Sequence, residues 1–158
     1  MNKQRVLWIE DSAFDENRLL TVPVYMTGKY HLDIEVNASD ALKALRVTPY
    51  DAVVVDVRIP PGDDPLFLEE FKRAAERKAT ARLGLYLLDC ILGRDNVSYR
   101  LEKALEWVEA RRFGVLTVEA HEEIEARLAH LGVQSYGRKQ GVADRRLLLR
   151  VIEGILAR

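Results

Sequence analysis

The chain has 158 residues with 24 basic and 25 acidic side chains, which gives a formal net charge of −1 at pH 7. This length suits one domain whose hydrophobic core needs no disulfide or metal to stabilise it. The balanced charge provides no overall electrostatic field to attract nucleic acid or a membrane surface. The single Cys90 excludes an internal disulfide, and neither a signal-peptide core nor a membrane-length apolar run is present. We therefore expect one cytoplasmic domain over residues 1–158, with no nucleic-acid or membrane partner.

Five short apolar runs predict β-strands. They cover residues 5–9, 30–36, 52–55, 114–118 and 133–136. The second run alternates apolar and polar residues, which indicates a strand near a sheet edge. The third is apolar throughout and β-branched, which is typical of a parallel strand covered on both faces.

Amphipathic patterns between these runs predict helices. They cover roughly residues 14–22 with Pro23 closing the helix, a short helix from Ser39 and Asp40, then 64–78, 84–92, 99–112, 122–131 ended by Gly132, and 144–156. The alternation predicts an α/β fold with a doubly wound five-stranded parallel sheet. One helix is enough to connect neighbouring parallel strands, so the extra helices indicate an insertion within about residues 64–112.

Reactive side chains follow the predicted strands at the edge where open α/β sheets bind ligands. Glu10 and Asp11 follow the first strand, Asp56 the third, Thr117 ends the fourth, and Lys139 follows the fifth. Three converging carboxylates repel one another unless a cation lies among them, and oxygen ligands suit Mg²⁺. The pattern predicts a magnesium site formed by the three acids.

Given a phosphoryl donor, these residues have complementary roles. The Asp56 carboxylate would attack phosphorus and form an acyl phosphate, with Mg²⁺ neutralising the equatorial oxygens. Lys139 would pair with one phosphoryl oxygen and the Thr117 hydroxyl with another. Taken singly, Glu10 and Asp11 could also cap a helix, and Thr117 could be an ordinary strand residue with no role in a site.

The set resembles the signature of receiver domains of two-component response regulators, which are CheY-like and flavodoxin-like in fold. The matching features are the acidic pair in VLWIEDS, Asp56 in VVVDVRIP, Thr117 and Lys139. The steps of 45 residues from Asp11 to Asp56 and of 22 residues from Thr117 to Lys139 are similar to those of the family. Five positions in order at such spacing are far more specific than any one of them.

The resemblance implies further site residues and partners. The backbone carbonyl of Arg58 would complete the metal shell, and Thr117 and Tyr136 would act as switch residues. Asp56 would accept its phosphoryl group from a histidine kinase or phosphotransfer protein. Catalysis would be limited to this self-phosphorylation and dephosphorylation, and the output would be a contact with an effector protein or a second copy of the chain.

The sequence departs from the family pattern at several positions. Asp56 and Thr117 are 61 residues apart, about twice the family's interval, and Gln140 replaces the proline that usually follows the lysine. Arg58 and Glu119 flank the site, and we expect them to pair across it and slow the attack of water.

Two alternatives remain open. One is a pseudo-receiver that binds partners without being phosphorylated. The other is a Mg²⁺-dependent phosphohydrolase with Asp56 as nucleophile. Families resembling haloacid dehalogenases have a second acid two residues after the nucleophile, where this chain has Arg58.

Overall fold

The computed structural model describes residues 2–93, 105–140 and 144–158. Its strands are β1 (Gln4–Ile9), β2 (Tyr30–Glu35), β3 (Ala52–Val55), β4 (Phe113–Thr117) and β5 (Ser135–Arg138). All pairings are parallel, in the order β2-β1-β3-β4-β5. The predicted five-stranded parallel sheet is confirmed, and the alternating strand β2 lies at an edge as expected.

Six α-helices surround the sheet within the described residues. They are α1 (Thr21–Met26), α2 (Ala38–Val47), α3 (Pro65–Glu76), α4 (Leu83–Leu92), α5 (His121–Leu131) and α6 (Leu147–Leu156). Short 3₁₀ helices precede α1 at Arg18–Leu20 and β4 at Ala110–Arg112. None of the helices in these ranges has the length and apolarity that crossing a membrane requires.

The two faces of the sheet support separate cores because successive strand side chains point to opposite sides. Leu7 and Ile9 of β1 pack with buried residues of α2, α4 and α5. Val6 and Trp8 pack on the other face with buried residues of α1 and α6. This covering of both faces explains why β1, β3 and β4 are apolar runs rather than alternating strands.

The connection from β3 to β4 contains two described helices, α3 and α4. Helix α4 buries Leu83, Gly84, Leu85, Leu87, Leu88 and Cys90 and packs against both α2 and α5. Helix α3 buries only Phe67 and Ala74 and packs on α4. The second helix of this connection therefore forms part of the layer that covers the sheet. Its interpretation as an insertion into a receiver domain stays a prediction.

The predicted helix over residues 99–112 can be compared with the structure only over residues 105–112. Residues 99–104 lie outside the described residues, and the rest forms turns and a 3₁₀ helix, so the prediction is wrong for that part. The Trp107 ring stacks on Phe113 at 6.2 Å and meets Tyr50 edge to face at 6.1 Å. These aromatic contacts hold the segment against the sheet without a regular helix.

The start of the first helix also differs from the prediction. Residues 11–17 form turns, and Glu10 Oε1 accepts hydrogen bonds from Ser12 N–H and Asn17 Nδ2, which favours a loop here. Pro23 lies in the first turn of α1 instead of closing a helix. Proline is tolerated there because the first N–H groups of a helix have no intrahelical acceptor.

Strand β5 begins two residues later than predicted. Gly132 ends α5 in the left-handed conformation with φ 77°, and Val133 N–H donates to Leu128 O, so Val133 belongs to the helix terminus. The later register places Arg138 opposite Thr117 in the β4–β5 pair. Lys139 then follows directly at the carboxyl end of the sheet.

Candidate functional site

The predicted acidic residues meet at the carboxyl end of the central strands. Ile9 pairs with Val55 in the parallel register, so Glu10 and Asp56 leave the sheet side by side. One carboxylate oxygen each from Glu10, Asp11 and Asp56 lies within 4.8 Å of the others. Glu10 and Asp56 are 1% and 5% exposed, whereas Asp11 faces solvent.

Lys139 joins two of these acids. Its Nζ lies 2.7 Å from Glu10 Oε2 and 3.0 Å from Asp56 Oδ2. Its backbone N–H donates to Thr117 O at 2.8 Å, which fixes the residue beyond the end of β5. The structure thus brings together residues that are 129 and 83 positions apart in the chain.

Burial and charge shift the pKa values of this cluster. Burial raises the pKa of Glu10 to about 7, and the nearby Asp56 charge acts in the same direction, while Lys139 opposes both. Burial works against the ammonium of Lys139, but Asp56 and Glu10 together outweigh it and raise its pKa. Lys139 therefore stays charged, and Glu10 takes up a proton more readily than an exposed glutamate does.

The cluster has the donor set of a magnesium site. Asp56 Oδ1 is buried and has no hydrogen-bond partner among the described residues, so it is available to a further ligand. Oxygen atoms of three carboxylates suit a hard divalent cation, which would also relieve the repulsion between the acids. The residues present fit Mg²⁺. The contribution of the Arg58 backbone carbonyl stays a prediction.

The two predicted switch residues contact Glu119 in this structure. Thr117 is fully buried, and its Oγ1 accepts a hydrogen bond of 3.4 Å from Glu119 N–H. Tyr136 is half-buried, and its hydroxyl donates to Glu119 O at 2.5 Å. The Tyr136 ring also lies 4.8 Å from that of His121. Thr117 and Tyr136 are thus linked through one residue of the loop after β4.

The carboxylate of Glu119 is buried between two arginines. Arg58 Nε lies 2.7 Å from Oε1, so the predicted Arg58–Glu119 pairing is confirmed, while its effect on hydrolysis stays a prediction. Arg82 Nε lies 3.1 Å from Oε2 in an ion pair whose angle falls outside hydrogen-bond geometry, and Arg82 Nη2 is 3.7 Å from Glu123. Sequence reasoning missed Arg82. No motif marks it, because only the packing of α4 brings it to this loop.

Gly84 is the second residue that sequence reasoning missed. A Cβ at this position would lie 1.9 Å from Asp56 O, and the Gly84 N–H donates to Val57 O at 2.9 Å. The first turn of α4 therefore packs directly on the backbone of the candidate phosphoacceptor. Only glycine allows this approach without displacing one of the two segments.

Comparisons with known proteins extend these observations. No protein-family model matches the sequence, and no curated protein matches it significantly. Solved structures do match over nearly the whole chain. A CheY-like receiver domain protein from Methanospirillum hungatei JF-1 has a TM-score of 0.59 at 17% identity, covering 98% of this chain and 94% of its own.

Two further structures are informative in their bound states. The phosphorylated cyanobacterial phytochrome response regulator RcpA has a TM-score of 0.60 at 17% identity, covering 98% of this chain and 91% of its own. The receiver domain of the sensor histidine kinase PA1611 from Pseudomonas aeruginosa PAO1 has magnesium coordinated in its active-site cleft. Its TM-score is 0.56 at 15% identity, covering 99% of this chain and 100% of its own. At these identities the likeness establishes the fold: the chain has the fold of the CheY-like response regulator receiver domains.

Proposed function

We propose that the chain is a response-regulator receiver that accepts a phosphoryl group on Asp56 and signals through protein contacts. The observation that carries the proposal is the arrangement around Lys139, whose Nζ contacts both Glu10 and Asp56. Asp56 Oδ1 meanwhile has no hydrogen-bond partner among the described residues. A buried carboxylate oxygen is costly to leave unpaired, and it is the atom that a phosphorus centre or a cation would engage. The receiver fold supports the same assignment.

The proposed donor is the phosphohistidine of a histidine kinase or phosphotransfer protein. Asp56 would attack phosphorus in line with the P–N bond. A P–O bond forms as the P–N bond breaks, and the leaving imidazole nitrogen keeps the electron pair and takes up a proton. When bound by Glu10, Asp11 and Asp56, Mg²⁺ would neutralise negative charge on the phosphoryl oxygens.

The chain's own residues would hold the product. Lys139, now between two carboxylates, would pair with a phosphoryl oxygen, and the buried Thr117 hydroxyl would donate to another. The Thr117 oxygen can keep accepting from Glu119 N–H, but a movement of the hydroxyl toward the phosphoryl group would lengthen that 3.4 Å hydrogen bond. The Arg58–Glu119 pair joins the loops after β3 and β4, and we expect it to hinder water and lengthen the lifetime of the acyl phosphate.

The output of such a receiver would be a change in protein contacts, made by an effector or by a second copy of the chain. The face formed by α5, β5 and α6 is the expected surface, because Tyr136 of β5 is tied to Glu119 next to α5. The setting would be the cytoplasm.

The direct test is phosphorylation with a small acyl phosphate donor in the presence of Mg²⁺. Intact-mass spectrometry should show the addition of one phosphoryl group to the wild type, removable by hydroxylamine, and no addition to Asp56→Asn. Beryllofluoride with Mg²⁺ should bind the wild type alone, as read by ¹⁹F NMR. Asp51→Asn, which changes an exposed aspartate at the opposite end of β3, is the matched control.

The alternatives give different results in the same experiment. A pseudo-receiver would show neither phosphorylation nor beryllofluoride binding at any concentration of Mg²⁺. A phosphohydrolase would release phosphate from an ester substrate over many turnovers, with the activity lost in Asp56→Asn.

A further inference from the structure

Glu119 contacts four other residues of the candidate site. Its N–H contacts Thr117 and its carbonyl accepts from Tyr136, so its backbone meets both predicted switch residues. Its carboxylate, 2% exposed, is held by Arg58 and Arg82. A buried carboxylate that loses one such partner is strongly destabilised, so movement of Glu119 and movement of its arginines are energetically linked.

Arg82 belongs to a different part of the fold from the other three partners of Glu119. It is the N-cap residue of α4, in the connection between β3 and β4. The first turn of this helix packs on Asp56 O, and its Gly84 N–H donates to Val57 O. Helix α4 is therefore attached to the site at two points: to the β3 end by backbone contact, and to the β4 end by the Arg82–Glu119 ion pair.

We infer that Arg82 is a positioning residue that couples α4 to the state of Asp56, so that α4 is a second responding surface beside α5, β5 and α6. The inference rests on the proposed function. A Thr117 hydroxyl that moves toward a phosphoryl oxygen would lengthen the 3.4 Å hydrogen bond that it accepts from Glu119 N–H, and the resulting shift of Glu119 would weaken its ion pair with Arg82. The first turn of α4 then loses one of its two attachments, and its amide hydrogens exchange faster with solvent.

Hydrogen exchange measured by mass spectrometry on the full chain tests this coupling. In the wild type, saturating beryllofluoride with Mg²⁺ should speed exchange in the peptide that covers the start of α4 by threefold or more. In Arg82→Gln this response should fall to less than half, while the response around Thr117 and Tyr136 remains. Arg82→Lys, which keeps a cation, should restore part of the α4 response.

Two control variants separate coupling from general loosening. Arg77→Gln removes an exposed arginine of the same connection whose described contact is with Arg73 O in α3, and it should leave the α4 response unchanged. Glu123→Gln removes only the longer ion pair of Arg82, the one with Glu123 at 3.7 Å, and should have a smaller effect than Arg82→Gln. An undiminished α4 response in folded Arg82→Gln would overturn the inference.

Failure of the proposed function is distinguishable from failure of this coupling. If ¹⁹F NMR shows no beryllofluoride on the wild type, phosphorylation of Asp56 is refuted, and the ion pair is then tested without ligand. Glu119→Gln should speed exchange at the start of α4 threefold or more in the wild-type background. It should have little further effect in Arg82→Gln. Additive effects of the two substitutions would show that the two residues are not coupled.

Discussion

The contact between Gly84 and Asp56 makes a sharp prediction about stability. In Gly84→Ala the new Cβ would stand 1.9 Å from Asp56 O, more than 1 Å inside the closest approach that real Cβ atoms show. Both partners are constrained, because Asp56 follows a central strand and Gly84 lies in the first turn of α4. Overpacking of this kind costs about 1–3 kcal/mol, and a better helix former at the second helical residue recovers less than about 1 kcal/mol.

Gly154 provides the matched control. It also lies in a helix, α6, but a Cβ there would meet only Ser135 Oγ at 3.9 Å, which is an ordinary contact. Gly154→Ala should therefore stabilise the protein by about 0.5–1 kcal/mol through helix propensity and reduced unfolded-state entropy. If the two Gly→Ala substitutions change the free energy of unfolding in opposite directions, the difference measures the cost of the close contact at Gly84.

Urea unfolding followed by circular dichroism measures both effects. A net loss of about 1–2 kcal/mol in Gly84→Ala corresponds to a fall in Tm of roughly 2–8 °C for a domain of this size. The same variant should bind beryllofluoride more weakly, because α4 can make room only by moving the backbone of Asp56 or itself. If Gly84→Ala were as stable as Gly154→Ala, α4 would not lie against the Asp56 backbone as described.

Three other predictions concern single residues away from the site. Lys78 has a left-handed backbone with φ 54° just after α3, so Lys78→Gly should raise the free energy of unfolding by about 1 kcal/mol, measured in urea; a loss would contradict it. Cys90 is 7% exposed and burial raises its pKa to about 12, so iodoacetamide at neutral pH should alkylate the unfolded chain but not the folded one. Burial, and then the hydrogen bond to Asp33, raises the pKa of Tyr50 from 10.0 to about 12. The stability advantage of the wild type over Tyr50→Phe should be complete below pH 10 and fall as the pH rises to about 12; an advantage independent of pH would refute this.

Much of the sheet could be predicted from the sequence because its central strands are apolar runs bounded by turn residues. The same runs fixed where Glu10, Asp56 and Thr117 leave the sheet, and parallel topology requires those ends to share an edge. Local pattern and global fold agree at these positions. The acidic cluster and its lysine were accordingly predictable without coordinates.

Other features depend on contacts that no local pattern encodes. The loop of residues 11–17 is held by hydrogen bonds to the Glu10 carboxylate, which overrides a helical pattern. The positions of Arg82 and Gly84 follow from the left-handed residue Lys78 just after α3 and from the packing of α4 in the core beside the sheet. Each of these depends on tertiary structure, so the sequence pattern alone could not provide them.

The charged cluster itself is better explained by function than by stability. Burying Glu10, Asp56 and Lys139 costs several kcal/mol per ion in desolvation, and apolar residues of similar volume usually serve a fold as well or better. Here the compensation is also incomplete, since Asp56 Oδ1 has no hydrogen-bond partner among the described residues. A buried carboxylate oxygen without a partner costs free energy as long as no ligand binds it. A cation or a phosphoryl group bound at the proposed site would engage this oxygen, which no described side chain occupies.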